Sequence, residues 1–385
     1  NYFNAVAPPI IQASNFAYSS VEEMRAHLTQ EMDAPFYTRG HNPTVAILRK
    51  KLAALEGAEE CLVFGSGSAA IAAAVLSCVQ SGDHGVCVQK PYSWTNRLLN
   101  QLLNRYGVET TMIDGTDPEN FRRALRPHTR LFMLESPNSM TFELQDIPAV
   151  TAIAKQHGIQ TIIDNSYATP LNQQPLAMGV DIVVHSASKY LNGHSDLVGG
   201  VLCSSRARCE RIFHSEFMTL GAILAPNDAW LMIRGLRTLP LRMQRIAEST
   251  PRVVAFLESH PAVERMYYPF SPNSPQYELA MRQMKGPAGQ FSIQLRASSI
   301  DDVDRFCDQL KAFALACSWG GHESIVFPMS ATVSSKAHPY KNELPWNLIR
   351  FYIGLEDPDY LIRDLEQALA VVQIPLPASE TSGLE

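Results

Sequence analysis

Two hydrophobic periods alternate along the first half of the chain. Short apolar runs rich in β-branched residues recur at 60–64, 84–89, 108–113, 130–135, 160–165, 181–184 and 197–204, and they read as strands. Between them lie segments with helical spacing: 45–55, opening near Pro43-Thr44, then 65–79, 95–106, 120–125, 147–157 and 205–219. This rhythm predicts a mostly parallel sheet covered on both faces. A long helical stretch, 228–259, carries the chain onward. Beyond residue 261 come strands 289–295, 315–318 and 348–353 with helices 300–313 and 358–371, which predict a smaller α+β domain. The expected division is an N-terminal arm (1–50), a large α/β domain (51–250) and a C-terminal α+β domain (251–385).

Composition narrows the class without naming the chemistry. The 385 residues are 46% hydrophobic and 18% charged, ordinary values for a globular protein. A formal net charge of −6 with no basic cluster argues against a nucleic-acid surface. No apolar run reaches the length of a membrane span, so no membrane partner is expected. The seven cysteines are scattered without a CxxC pair and read as reduced, mostly buried thiols in a cytoplasmic protein. No metal site is read. The chain opens on Asn1 rather than Met, which points to a trimmed start.

Candidate chemistry concentrates in the stretch HSASKYLNGHSD, residues 185–196. The strand 181–184 delivers Ser186 and Ser188 on one face of an extended chain, with Lys189 next. Hydroxyls to hold a phosphate beside an amine that forms a Schiff base suit a phosphorylated aldehyde, and so pyridoxal 5′-phosphate. Upstream, the run QTIIDN ends in Asp164, an acid at the carboxyl end of its strand. Ligands of open α/β sheets gather beyond such ends. A carboxylate there keeps a pyridine nitrogen protonated, because opposite charge favours the charged form. Taken singly, Asp164 is equally a turn cap and Lys189 a solvated lysine; the two together with the serines point to a site. The glycine-rich turn into GSGSAAIAAAVLSCV (65–79) offers free N–H groups to an anion.

HSASKYLNGHSD, IIDNSYATP (162–170) and YTRGHNPT (37–44) resemble the motifs of the Cys/Met-metabolism, or trans-sulfuration, family of pyridoxal phosphate enzymes. The likeness extends from APPIIQASNF (7–16) to the segment 350–369. The family includes cystathionine β- and γ-lyases, cystathionine γ-synthase, methionine γ-lyase and O-acylhomoserine sulfhydrylases. The resemblance implies the aspartate-aminotransferase-like fold, fold type I, with a large mostly parallel sheet domain and a smaller C-terminal α+β domain. It further implies a homodimer, and by extension a homotetramer, with active sites shared across the N-terminal arm. By the same resemblance Gly67 and Ser68 hold the phosphate through main-chain N–H groups. Tyr37 and Arg39 reach the phosphate of the neighbouring subunit, as suits a two-pronged guanidinium. Tyr92 stacks on the ring and takes part in proton transfer, Arg350 clamps the substrate α-carboxylate, and Ser318 assists there or at Lys189.

Several positions depart from the common family pattern. Ser139 and Met140 stand where Asn-Pro is usual, and with Trp319 in CSWGGHES they resemble the cystathionine β-lyase version. Trp230 replaces an aromatic, often Tyr, placed near the neighbouring site, and reads as interface packing. Cys317 occupies a position that is Glu in enzymes holding the far amino group of cystathionine; a thiol offers no charge and suits a less polar substrate end. The expectation is a C–S lyase on a sulfur amino acid, releasing ammonia and a 2-oxo acid. Ser139 and Trp319 favour β-elimination, while Cys317 pulls toward γ-elimination or γ-replacement. An aminotransferase and a non-catalytic regulatory protein are the remaining alternatives, since fold does not fix reaction.

Overall fold

The computed structural model describes residues 4–333 and 344–372. Seven strands form the larger sheet: β1 (Glu60–Phe64), β2 (His84–Val88), β3 (Glu109–Ile113), β4 (Thr129–Glu135), β5 (Gln160–Asp164), β6 (Ile182–Ser186) and β7 (Gly200–Ser204). Their order is β1-β7-β6-β5-β4-β2-β3. The pairs among β6, β5, β4, β2 and β3 are parallel, and β7 runs antiparallel to both β1 and β6. Successive residues of these strands enter different cores. Ile162, Ile182 and Val184 pack in one cluster, and Ile163 and Val183 in another. Alternation that is apolar on both faces means cover on both, as expected for a parallel sheet.

The second sheet comprises β8 (Val263–Tyr267), β9 (Gln290–Leu295), β10 (Ala314–Leu315), β11 (Ile325–Pro328) and β12 (Leu348–Tyr352), in the order β10-β11-β12-β9-β8. It is antiparallel apart from the β10–β11 pair. The large mixed, largely parallel sheet and the smaller α+β unit are the expected two-part architecture.

Local chemistry explains the elements that frame the site. The helix Pro43–Glu56 starts at Asn42, whose side chain accepts the Thr44 N–H, and stops at Gly57 in the left-handed region, φ 70°. The helix Gly67–Leu76 is capped by Ser66, which accepts the Ala69 N–H.

Several elements differ from the sequence reading. The stretch 228–259 is two helices, Pro226–Leu236 and Leu239–Ser259, parted at Arg237-Thr238, with Pro240 setting the start of the second. Position 250 lies within that second helix, which joins a core containing Leu239, Met243 and Ile246 to one containing Val253, Val254 and Leu257. The expected strand 315–318 shrinks to β10, because residues 316–318 turn out toward the site. The strands β8 and β11 went unread; β8 exposes Glu264 and Arg265 and so lacks an apolar signature. The arm contains a short helix, Val21–Leu28, with no buried residue. No helix among the described residues is long and apolar enough to cross a membrane.

Candidate active site

Three neighbouring parallel strands present polar residues at their carboxyl ends: Glu135 on β4, Asp164 on β5 and Ser186 on β6. Glu135 and Asp164 are register partners, as are Asp164 and Val184. Ligands of such sheets bind at this edge. Asp164 is buried, and its Oδ1 accepts the Ser166 N–H at 3.0 Å and the Ser166 hydroxyl at 2.5 Å. Ser166 Oγ in turn accepts the Ser186 N–H at 2.6 Å. Burial raises the Asp164 carboxyl above its ordinary range, while the Ser166 donors, His185 and Lys189 oppose that rise.

Lys189 follows one turn after β6, and its Nζ donates to Ser318 Oγ. Burial and the nearby Arg350 guanidinium lower the Lys189 amine to about 8. The same amine sits 5.3 Å from the centre of the Trp319 ring. Arg350, on β12, donates from Nη2 to the Ser318 carbonyl at 3.0 Å. Desolvation lowers its guanidinium to about 10. One residue, Ser318, thus touches both expected cations, and it does so at φ 74°, in the left-handed region. Cys317 beside it is exposed and lies near Lys189, Arg350 and Tyr92.

A fourth wall is the start of the helix Gly67–Leu76. A Cβ at Gly67 would lie 2.9 Å from both Cα and Cβ of Ser186, so only glycine permits this approach of helix terminus to strand end. Ser68 is exposed at that terminus, next to the Tyr92 hydroxyl. Ser188 is partly engaged, accepting the Gly199 N–H at 3.0 Å. Partial burial pushes the Tyr92 phenol up, opposed by its hydrogen bond with Ser68 and reinforced by Asp164 and Glu135.

The structure therefore brings Lys189, Asp164, Gly67, Ser68, Ser186, Ser188, Tyr92, Arg350, Ser318, Trp319 and Cys317 around one edge. Tyr37 and Arg39 are exposed and stack on each other, with the guanidinium 5.7 Å from the ring centre; neither touches those residues in its own chain. Trp230 donates from Nε1 to the Pro8 carbonyl at 2.8 Å, holding the arm of its own chain. That is an intrachain role the interface reading did not include.

Glu135 and Ser166 were missed. Glu135 ends an apolar run just as Asp164 does, a signal the sequence carried, and Ser166 lies inside the motif around Asp164. Glu135 is buried; Oε2 accepts the Tyr92 N–H and Oε1 contacts Ser139 Oγ, each at 2.6 Å.

These residues fit a phosphorylated pyridine aldehyde. The helix terminus and serines offer donors to a phosphate, a shielded carboxylate could hold a ring nitrogen protonated, and an amine of lowered basicity near it could join the aldehyde. Comparison with known proteins agrees. The profile of the family described as "Cys/Met metabolism PLP-dependent enzyme" matches residues 1–370. The L-methionine gamma-lyase of Pseudomonas deceptionensis is 39% identical over 370 residues, 95% of this chain and 92% of that protein. The cystathionine gamma-lyase of Bacillus subtilis is 38% identical over 368 residues, 95% of this chain and 94% of that protein. The crystal structure of metB from Corynebacterium glutamicum superposes with a TM-score of 0.90 at 34% identity, covering 96% of this chain and 94% of the other.

Proposed function

Since the chain belongs to the Cys/Met metabolism PLP-dependent enzyme family, with its fold type I architecture, we propose that it is a carbon–sulfur lyase that removes the sulfur group of an amino acid and releases ammonia and a 2-oxo acid. The observation that carries this reading is the placement of the Lys189 amine. It lies within electrostatic reach of Asp164 at the carboxyl end of β5 and is tied through Ser318 to Arg350, the residue expected to bind the substrate carboxylate.

Pyridoxal 5′-phosphate, when bound, supplies an electron-withdrawing ring in conjugation with the substrate α-carbon. Lys189 would join it, Asp164 would stabilise its protonated ring, and Gly67, Ser68, Ser186 and Ser188 would hold the phosphate, with Tyr37 and Arg39 supplied by a second subunit. Arg350 exchanges the Ser318 carbonyl for the substrate α-carboxylate, a two-pronged contact that fixes the α-carbon. The Lys189 amine takes the α-proton and, for a leaving group on Cγ, shuttles it away and then takes a Cβ proton; at about 8 its neutral form is accessible at ordinary pH. Tyr92, a phenol and so protonated at ordinary pH, donates to the departing sulfur. The Trp319 ring lies beside the amine, its centre 5.3 Å away, and favours a cationic state there.

The bond cleaved is at Cγ in the preferred reading, because the two relatives at 38–39% identity are γ-lyases by name. This moves the preference from Cβ, where the sequence motifs put it. Cβ is the second reading, and Ser139 and Trp319 favour it. Product analysis separates them: 2-oxobutyrate from methionine or cystathionine supports γ-elimination, and pyruvate from cystathionine or cysteine supports β-elimination. A γ-replacement product from O-acetylhomoserine without 2-oxo acid would replace lyase by synthase. A requirement for a 2-oxo acid acceptor would overturn the lyase reading in favour of transamination.

A further inference from the structure

A cavity of about 430 Å³ lies between the loop that follows β4 and the outer strand β8 of the second sheet. Its volume is that of a small-molecule site, and none of its lining residues belongs to the group gathered around Lys189. Hydrogen bonds set its walls. Gln276 on one side grips the main chain of Leu144 on the other: its Nε2 donates to the carbonyl and its Oε1 accepts the N–H, each at 2.8 Å. Ser271 Oγ donates to Glu258 Oε1 at 2.7 Å and accepts the Asn273 N–H at 3.1 Å, which fixes the loop after β8.

The charges lining the cavity fall into two kinds. Glu143 is answered, by Lys90 Nζ at 2.7 Å and Asn138 Nδ2 at 3.0 Å. The side chains of Glu264 and Arg265 have no hydrogen bond or ion pair among the described residues; the Arg265 guanidinium lies 4.7 Å from the centre of the Tyr267 ring. Charged side chains on an edge strand ordinarily face water and keep other strands away. Here the pairing of β8 with β9 slips between Val263 and Arg265, so that Glu264 is an extra residue, and such a bulge re-aims side chains. Both charges line the same concave wall, beside the apolar surfaces of Phe142, Tyr267 and Pro269.

We propose that this cavity is a second binding site, for a zwitterionic α-amino acid with an apolar or aromatic side chain. Arg265 takes the carboxylate in a two-pronged contact. Glu264 takes the ammonium, with the Glu258 carboxylate nearby, and the side chain lies against Phe142 and Pro269. A ligand carrying one charge alone leaves the opposite residue unanswered. The inference goes beyond the proposed reaction and rests on no step of it.

The test uses the full chain with its cofactor, reduced with borohydride so that no amino acid displaces that cofactor. Three probes are titrated by calorimetry: L-phenylalanine, phenethylamine, which lacks the carboxylate, and 3-phenylpropionate, which lacks the ammonium. L-Phenylalanine should bind once per chain with a Kd of about 1 mM or tighter, and the other two about tenfold more weakly. Arg265→Gln should remove the advantage of L-phenylalanine over phenethylamine. Glu264→Gln should narrow its advantage over 3-phenylpropionate by about threefold or more. Both variants should keep the melting temperature and the turnover of the native chain, since both positions are exposed and lie outside the Lys189 site. No binding at about 10 mM, equal binding of L-phenylalanine and phenethylamine, or a site for L-phenylalanine that R265Q leaves intact would each overturn the proposal. Loss of all lyase activity in the unreduced native chain, with these titrations as expected, would sink the proposed reaction and leave the cavity as assigned.

Discussion

At the ends of β4, β5 and β6, the polar side chains are each fixed by two or more hydrogen bonds: Asp164 by Ser166, Ser166 by Asp164 and Ser186, Glu135 by Tyr92 and Ser139. On the other side of Lys189, the segment 316–318 is exposed, and Ser318 holds Lys189 and Arg350 from a left-handed backbone. The first region lies in the sheet, where register places side chains to within a fraction of an ångström. The second is a loop between short strands of the other unit. The difference separates chemistry, which needs fixed charge and is common to a family, from substrate choice, which a loop can vary without disturbing the core.

Substitutions on the two sides should therefore behave differently. The largest effect is expected at Lys189: Lys189→Ala should lower kcat by about 10³-fold or more, measured by 2-oxo acid release, because it removes the general base as well as the cofactor anchor. Next is Asp164→Asn, which keeps the shape and removes the charge. It should cost about 10²-fold in kcat and weaken cofactor retention on dialysis. On the side of that loop, Arg350→Lys on β12, next to Ser318, should act mainly on KM, raising it by about 10- to 100-fold, since an ammonium does not reproduce a two-pronged carboxylate contact. The smallest effect on the fold belongs to Cys317→Glu. It should change thermal stability by less than about 0.5 kcal/mol, as an exposed position, yet shift the ratio of cystathionine to methionine turnover by several-fold toward cystathionine. A Cys317 variant that lowered kcat on all substrates equally would erase the distinction between the two regions.

The same contrast explains what the sequence disclosed. Lys189, Asp164 and Ser186 were legible because an apolar run ending in polar residues locates a strand end without knowledge of its neighbours. Glu135 carried the same local signal, but its meaning depends on β4 lying next to β5, and adjacency is set by sheet order rather than by local pattern. Ser318 was named from resemblance, yet its left-handed backbone has no marker of its own, since glycine stands two residues later at Gly320. The hinge at Arg237-Thr238 was likewise hidden, because helical spacing continues across it and only the packing of the two helices breaks it. The pairing of Trp230 with Pro8 spans most of the chain and follows from the path of the arm.

The claim on which all of this turns is that the amine at the end of β6 carries the cofactor. Borohydride reduction of the purified, yellow protein followed by peptide mass mapping should place a phosphopyridoxyl group on the peptide containing Lys189. Recovery of that peptide unmodified, with the label on another lysine or on none, would contradict it.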